Sequence, residues 1–122
     1  MFTLPKQGRL RKNKDFQAVY RMGKSYANRQ LVLYILPRKN GQRLVGFAAG
    51  KRLGNAVTRN RVKRLLRETY RLYQHRLATG FDLIIVGRQT IAGEKMAAVA
   101  AAFEHLCAKA GILQKQAGTD NA

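Results

Sequence analysis

The chain has 122 residues, 46% of them hydrophobic, which is enough for one domain with a single core. No run reaches the roughly 18 uncharged apolar residues of a membrane span, the opening MFTLPKQGRLRKNKDF lacks the apolar stretch of a secretory signal, and the lone Cys107 excludes an internal disulfide framework or a Cys-based zinc cluster. A cytoplasmic protein is expected, and a net charge of +18, from 24 Lys and Arg against 6 Asp and Glu, points to a polyanionic partner.

In chain order, a short helix is expected over residues 13–22, with Asn13 as its cap, Asp15 at the positive end of its dipole and Gly23 as its stop. Phe16, Val19 and Tyr20 share one face of it. A short strand near residues 24–29 is possible. QLVLYILP then alternates, with Leu31, Leu33 and Ile35 on one side and Val32, Tyr34 and Leu36 on the other. Pro37 ends this strand, RKNGQR turns, and RLVGFAAG returns as a second strand expected to pair antiparallel with the first.

A long helix is expected from near Asn55 to about Arg76. Its apolar stripe reads Val62, Leu65, Leu66, Thr69, Leu72, Tyr73 and Leu77; Asn60, Lys63, Arg64, Arg67 and Arg71 lie opposite. FDLIIVGRQ reads as a strand covered on both faces. GEKMAAVAAAFEHLCAKAGIL closes the series as an amphipathic helix with Met96, Val99, Phe103, Leu106, Cys107 and Ala110 inward and Gly111 as stop. The order α-β-β-α-β-α predicts one α+β domain, a two-layer sandwich with helices on one face of a small mixed sheet and the other face partly open. Residues 1–10 and 114–122 are expected to be flexible.

Charge is distributed unevenly along this order. Residues 1–76 hold 20 basic and 2 acidic residues, whereas residues 77–122 hold 4 of each. Nucleic acid fits such a one-sided surface. An anionic membrane fits less well, because no Trp or bulky apolar residue rims the basic segments. GFAAGKR fails as a phosphate loop, with three residues between its glycines and Arg52 where Ser or Thr should stand. His75 and His105 lie on different helices without a carboxylate at useful spacing, and the six acids are scattered, so the clustered carboxylates of a metal-dependent nuclease are missing.

The cations of the long helix match the spacing of phosphates along a backbone, and arginine binds phosphate through two parallel donors. Arg59 and Arg61 lie near the helix N-terminus, where unpaired backbone N–H groups add anion affinity. Asn60 between them suits a sugar 2′-hydroxyl or a base edge. Phe16 and Tyr20 fit a core equally well when taken alone. If the Tyr34 side of the sheet is open, the three aromatics line a groove for unpaired bases, each stacked base contributing about 1–3 kcal/mol. Lys12, Lys14, Lys51 and Arg52 would then track the strand's phosphates, and Val19 stays in the core. This reading reaches an RNA binder. It does not separate a processing enzyme's subunit from a ribosomal protein or an RNA chaperone.

KRLGNAVTRNRVKRLLRE, with NKDFQAVY before it and NRQLVLY between, resembles the protein component of bacterial ribonuclease P over about residues 9–110. The resemblance implies a holoenzyme of one catalytic RNA and one small basic protein, an endoribonuclease that removes the 5′ leader of precursor tRNA. It implies that the RNA carries the chemistry with Mg2+ bound mainly by that RNA, and it assigns no catalytic and no metal-ligating residue in the chain. It places Arg59, Asn60, Arg61, Lys63, Arg64 and Arg67 on the catalytic RNA. Phe16, Tyr20, Tyr34, Lys51 and Arg52 fall in a cleft for the single-stranded leader. The implied partners are ribonuclease P RNA and precursor tRNA, with no membrane and a protein monomeric by itself. The implied fold is an α/β sandwich, also found in a ribosomal protein, with a left-handed βαβ crossover against the usual right-handed preference. One departure stands out: Ala48, Ala49 and Gly50 occupy positions where many members carry serines.

Overall fold

The segment FDLIIVG is apolar along its whole length, and such a strand belongs where both faces and both edges are covered. In the computed structural model, which describes residues 8–114, it takes that place. The elements are α1 (Asn13–Met22), β1 (Lys24–Ala27), β2 (Leu31–Pro37), β3 (Arg43–Ala49), α2 (Ala56–Tyr73), β4 (Phe81–Gly87) and α3 (Met96–Ala110). The sheet runs β1-β2-β4-β3, with β4 antiparallel to β2 and parallel to β3.

This order corrects the expected β2–β3 hairpin. Residues 38–42 do reverse the chain, but β4 enters between the two strands. Arg38 N–H donates to Gly80 O at 2.7 Å, and Gly80 and Phe81 N–H both donate to Gln42 O. The most apolar strand thus gains two paired neighbours, which a hairpin between β2 and β3 would have denied it. β3, α2 and β4 form the parallel βαβ crossover. The expected short strand is β1, paired antiparallel with β2.

Strand alternation divides the core in two. Leu31, Leu33, Ile35, Val45, Leu83 and Ile85 face α2 and α3, joined by Val62, Leu66, Val99, Phe103 and Leu106. Ile84 faces the other way, against Val19 of α1 and Leu10. The α+β class and mixed sheet stand, but α1 packs opposite α2 and α3 rather than beside them. Val19 projects from α1 onto Ile84, and only that face of the sheet offers it a seat.

Local details follow the chemistry of each element. Asn55 caps α2 through its side-chain oxygen, which accepts Thr58 N–H at 3.0 Å. The last expected turn of α2 is a separate 3-10 turn at Gln74–Arg76. Tyr70 is buried where Leu72 was expected, and Leu72 is half exposed. At 100° per residue Leu72 sits at the edge of the stripe centred on Val62, Leu66 and Thr69, on the side away from the sheet. Lys12, not Asn13, precedes the first turn of α1, and no side chain caps it. Gly111 ends α3 in the left-handed region at φ 77°. Cys107 is buried, and burial pushes its thiol up to about 12, which removes it as a nucleophile. Of the two ends expected to be flexible, residues 1–7 and 115–122 lie outside the described residues. Arg9 bridges Val45 in β3, and Gln114 N–H donates to Arg76 O at 2.6 Å.

Candidate nucleic-acid interface

A helix with cations at positions 59, 61, 63, 64 and 67 must turn them to water or to a partner, because like charges at helical spacing repel. The structure sorts them into two rows on α2. Asn60, Arg61 and Arg64 are exposed; Arg59, Lys63 and Arg67 are half-buried, one turn apart, beside the sheet edge. The Arg67 guanidinium lies over the Phe47 ring at 5.9 Å. Acids are held elsewhere: Glu68 pairs with Arg71 at 2.7 Å, Asp82 with Arg38 at 2.9 Å, and Glu104 accepts the Tyr73 hydroxyl at 2.8 Å. Burial, together with that bond to Glu104, holds the Tyr73 phenol above its usual range. His75 is exposed on the 3-10 turn after α2.

The second set assembles on the face that α1 half covers. Tyr20 and Tyr34 meet edge to face, with centroids 4.9 Å apart and planes at 80°. Burial, and next to it the Tyr34 phenol, raises the Tyr20 hydroxyl above its ordinary range, so it stays neutral near pH 7. Phe16 lies over Gly46, where a Cβ would stand 2.5 Å from its ring; any larger residue at 46 would lift the ring. All three aromatics keep apolar footing on the sheet and present a side to solvent. One row along, Val32, Val86 and Ala48 are register partners and only half-buried. This row is an open apolar strip beside α1.

The strip ends in a concavity of about 340 Å³ lined by Gly50, Arg52, Leu53, Val86, Gly87, Arg88 and Gln89. Arg52 lines it from a 3-10 turn, Lys51–Leu53, at the C-terminal end of β3; the Lys51 side chain lies outside the described residues. Arg88 was missed in the sequence, where it reads as an isolated charge after a strand. The parallel pairing of β3 with β4 brings it beside Arg52, and its Nη1 donates to Asn28 O at 2.8 Å. Of the three positions where serines were expected, Ala48 faces the strip, Ala49 packs against the larger core, and Gly50 has open space where a Cβ would be. Ala48 and Gly50 therefore withhold hydroxyls from the strip and from the concavity at its end, and Ala49 does not.

Among the described residues no three His, Cys, Asp or Glu side chains come together to hold a metal ion. No described helix is long and apolar enough to cross a membrane. The interface consists of two cationic rows on α2 and an aromatic, partly apolar channel on the opposite face.

The family model for ribonuclease P matches residues 4–111 of the chain. The ribonuclease P protein component of Clostridium perfringens is 44% identical over 110 residues, covering 84% of this chain and 88% of that protein. That of Clostridium botulinum is 43% identical, covering 88% and 97%. The solved RNase P protein of Staphylococcus aureus superposes with a TM-score of 0.79 at 33% identity, covering 88% of this chain and 98% of that one.

Proposed function

The chain belongs to the ribonuclease P protein family, a component of tRNA processing, and on that premise we propose that it binds both the catalytic RNA and the single-stranded 5′ leader of precursor tRNA. The carrying observation is the strip of Val32, Val86 and Ala48, bounded at one end by Tyr20 and Tyr34 and at the other by Arg52 and Arg88. Bases stack on the aromatics while phosphates meet the arginines, as single strands are held without reading their sequence. The cationic rows of α2 take the catalytic RNA, where arginine forks grip phosphates and Asn60 reaches a 2′-hydroxyl. Cleavage of the leader is the work of that RNA with its own Mg2+, since the described side chains gather no carboxylates. By itself the protein is a monomer, and it works in the cytoplasm.

The test is 5′ processing of labelled precursor tRNA at low magnesium, with a bacterial ribonuclease P RNA alone, the protein alone, and both. Cleavage that appears or accelerates only with both supports the proposal. Tight RNA binding without any gain would favour a ribosomal or chaperone-like binder, and cleavage by the protein alone would indicate a nuclease in its own right.

Two substitutions separate the surfaces. Arg61→Ala is expected to weaken binding to the catalytic RNA and to lower the slope of log affinity against log salt by about one. Phe16→Ala is expected to weaken precursor tRNA by about 1–3 kcal/mol while sparing mature tRNA, read from paired binding titrations of the holoenzyme. Equal losses on both substrates would count against the leader channel.

A further inference from the structure

The N-terminal segment does not simply lead into α1. Leu10 is buried against Val19 and Ile84, and its N–H donates to Val45 O at 2.9 Å, so residues 9–11 lie along the edge of β3. Arg9 and Arg11 thereby form one wall of a groove whose other wall is Lys63 and Arg67 of α2. Phe16 and Phe47 line it between them, it measures about 240 Å³, and no carboxylate lines it. The Nε atoms of Arg9 and Arg67 are both buried without a hydrogen-bond partner among the described residues. A buried charged donor without an acceptor is disfavoured, and two in one groove call for an acceptor from outside.

We infer that this groove is a phosphodiester subsite in which Arg9 and Arg67 grip one RNA phosphate from opposite sides, with Lys63 and Arg11 at its margins. A phosphate offers a full negative charge and a separate oxygen to each arginine. Phe47 lies under the Arg67 guanidinium at 5.9 Å and restrains it beside the groove. The two phenylalanines give a sugar or base an apolar rest beside that phosphate. The inference rests on the RNA-binding reading above and adds to it a strap, residues 9–11, that no helix pattern contained.

The shared chemistry admits two sources, the catalytic RNA and the precursor's leader; contact with α2 favours the first. The test measures affinity of the full chain for ribonuclease P RNA over a salt series, for the wild type, Arg9→Gln, Arg67→Gln, the double variant, Arg9→Lys, and Lys39→Gln as an exposed control. Each Gln variant is expected to lose about tenfold. The double variant should lose little more than the worse single, with its salt slope down by about one and not two, since one phosphate is shared. Arg9→Lys should recover only part, because it keeps the charge but not the fork. Lys39→Gln should change little.

Multiplicative losses with a slope down by two would overturn the shared subsite, as would variants indistinguishable from Lys39→Gln. A loss confined to precursor tRNA over mature tRNA, in the assembled holoenzyme, would keep the subsite and assign its phosphate to the leader. Wild-type protein that fails to bind the catalytic RNA at all would instead sink the functional reading on which the groove depends.

Discussion

Arg43→Ala is expected to lower the free energy of unfolding by about 3–5 kcal/mol, a larger loss than any surface arginine should give. Arg43 opens β3, yet its side chain serves the far end of α2. Its Nε donates to the Tyr70 hydroxyl at 2.8 Å, Nη1 to Leu77 O at 2.9 Å and Ala78 O at 2.8 Å, and Nη2 to Gln74 O at 2.8 Å. Three of the four acceptors are carbonyls following the C-terminal turns of α2, where the helix dipole also favours a cation. Truncation leaves those acceptors half-buried without a donor and removes the cation from the Tyr70 ring, 5.5 Å away. Urea titration should show a lower midpoint at unchanged slope. Arg43→Lys should restore less than half, because one ammonium cannot reach four acceptors arranged for a planar fork. Catalytic-RNA affinity measured well below the midpoint should be nearly unchanged, since Arg43 opens the crossover beside the C-terminal end of α2, away from Arg59, Arg61 and Arg64 near its start. A large affinity loss in fully folded Arg43→Ala protein would mean that the residue touches RNA itself.

Local patterns in the sequence reached the parts of the site that are themselves local. The cationic rows of α2 follow from helical spacing and a capping Asn55, both settled within a few residues of chain. Tyr34 on the open side of its strand follows from alternation alone, and Phe16 with Tyr20 from a single turn of α1. What the sequence hid depends on neighbours far away in the chain. Arg88 became part of the channel only because β4 lies between β2 and β3, a choice made by competition among strands for the centre of the sheet. Arg9 and Arg11 became a wall only because Leu10 anchors to β3, and no periodicity marks a single anchoring leucine. Arg43 reads as a turn residue, and its four acceptors lie 27 to 35 positions onward. Gly23 was read rightly as the end of α1 but for the wrong physical reason.

That reason carries the second large effect. Gly23→Ala is expected to cost about 3 kcal/mol of stability and, with it, the ability to tell precursor from mature tRNA. Gly23 has φ −79° and ψ 160°, which any residue adopts, so conformational freedom is not what the position requires. A Cβ there would stand 2.6 Å from Val19 O and 2.8 Å from Ile35 O. Both are backbone atoms, and neither can swing aside as a side chain would. The end of α1 must therefore lift from β2, and α1 carries Phe16, Val19 and Tyr20 with it. Their footings on Gly46, Ile84 and Tyr34 loosen together, which no single aromatic truncation achieves. The cationic rows of α2 stand on a helix packed against the opposite face of the sheet. Binding to the catalytic RNA should then fall by at most about tenfold, the share of the Arg9 strap that leans on Val19 through Leu10, while the exposed row of α2 keeps its footing. Thermal unfolding and the two binding titrations, run on the same preparation, separate the outcomes. Lost leader discrimination with a loss of RNA affinity within that limit means that the leader channel and the α2 rows are mounted separately, one on each face of the sheet, and meet only at the strap. A loss of catalytic-RNA affinity well beyond that limit would mean that α1 also supports the α2 rows, and the division of labour between the faces would have to be abandoned.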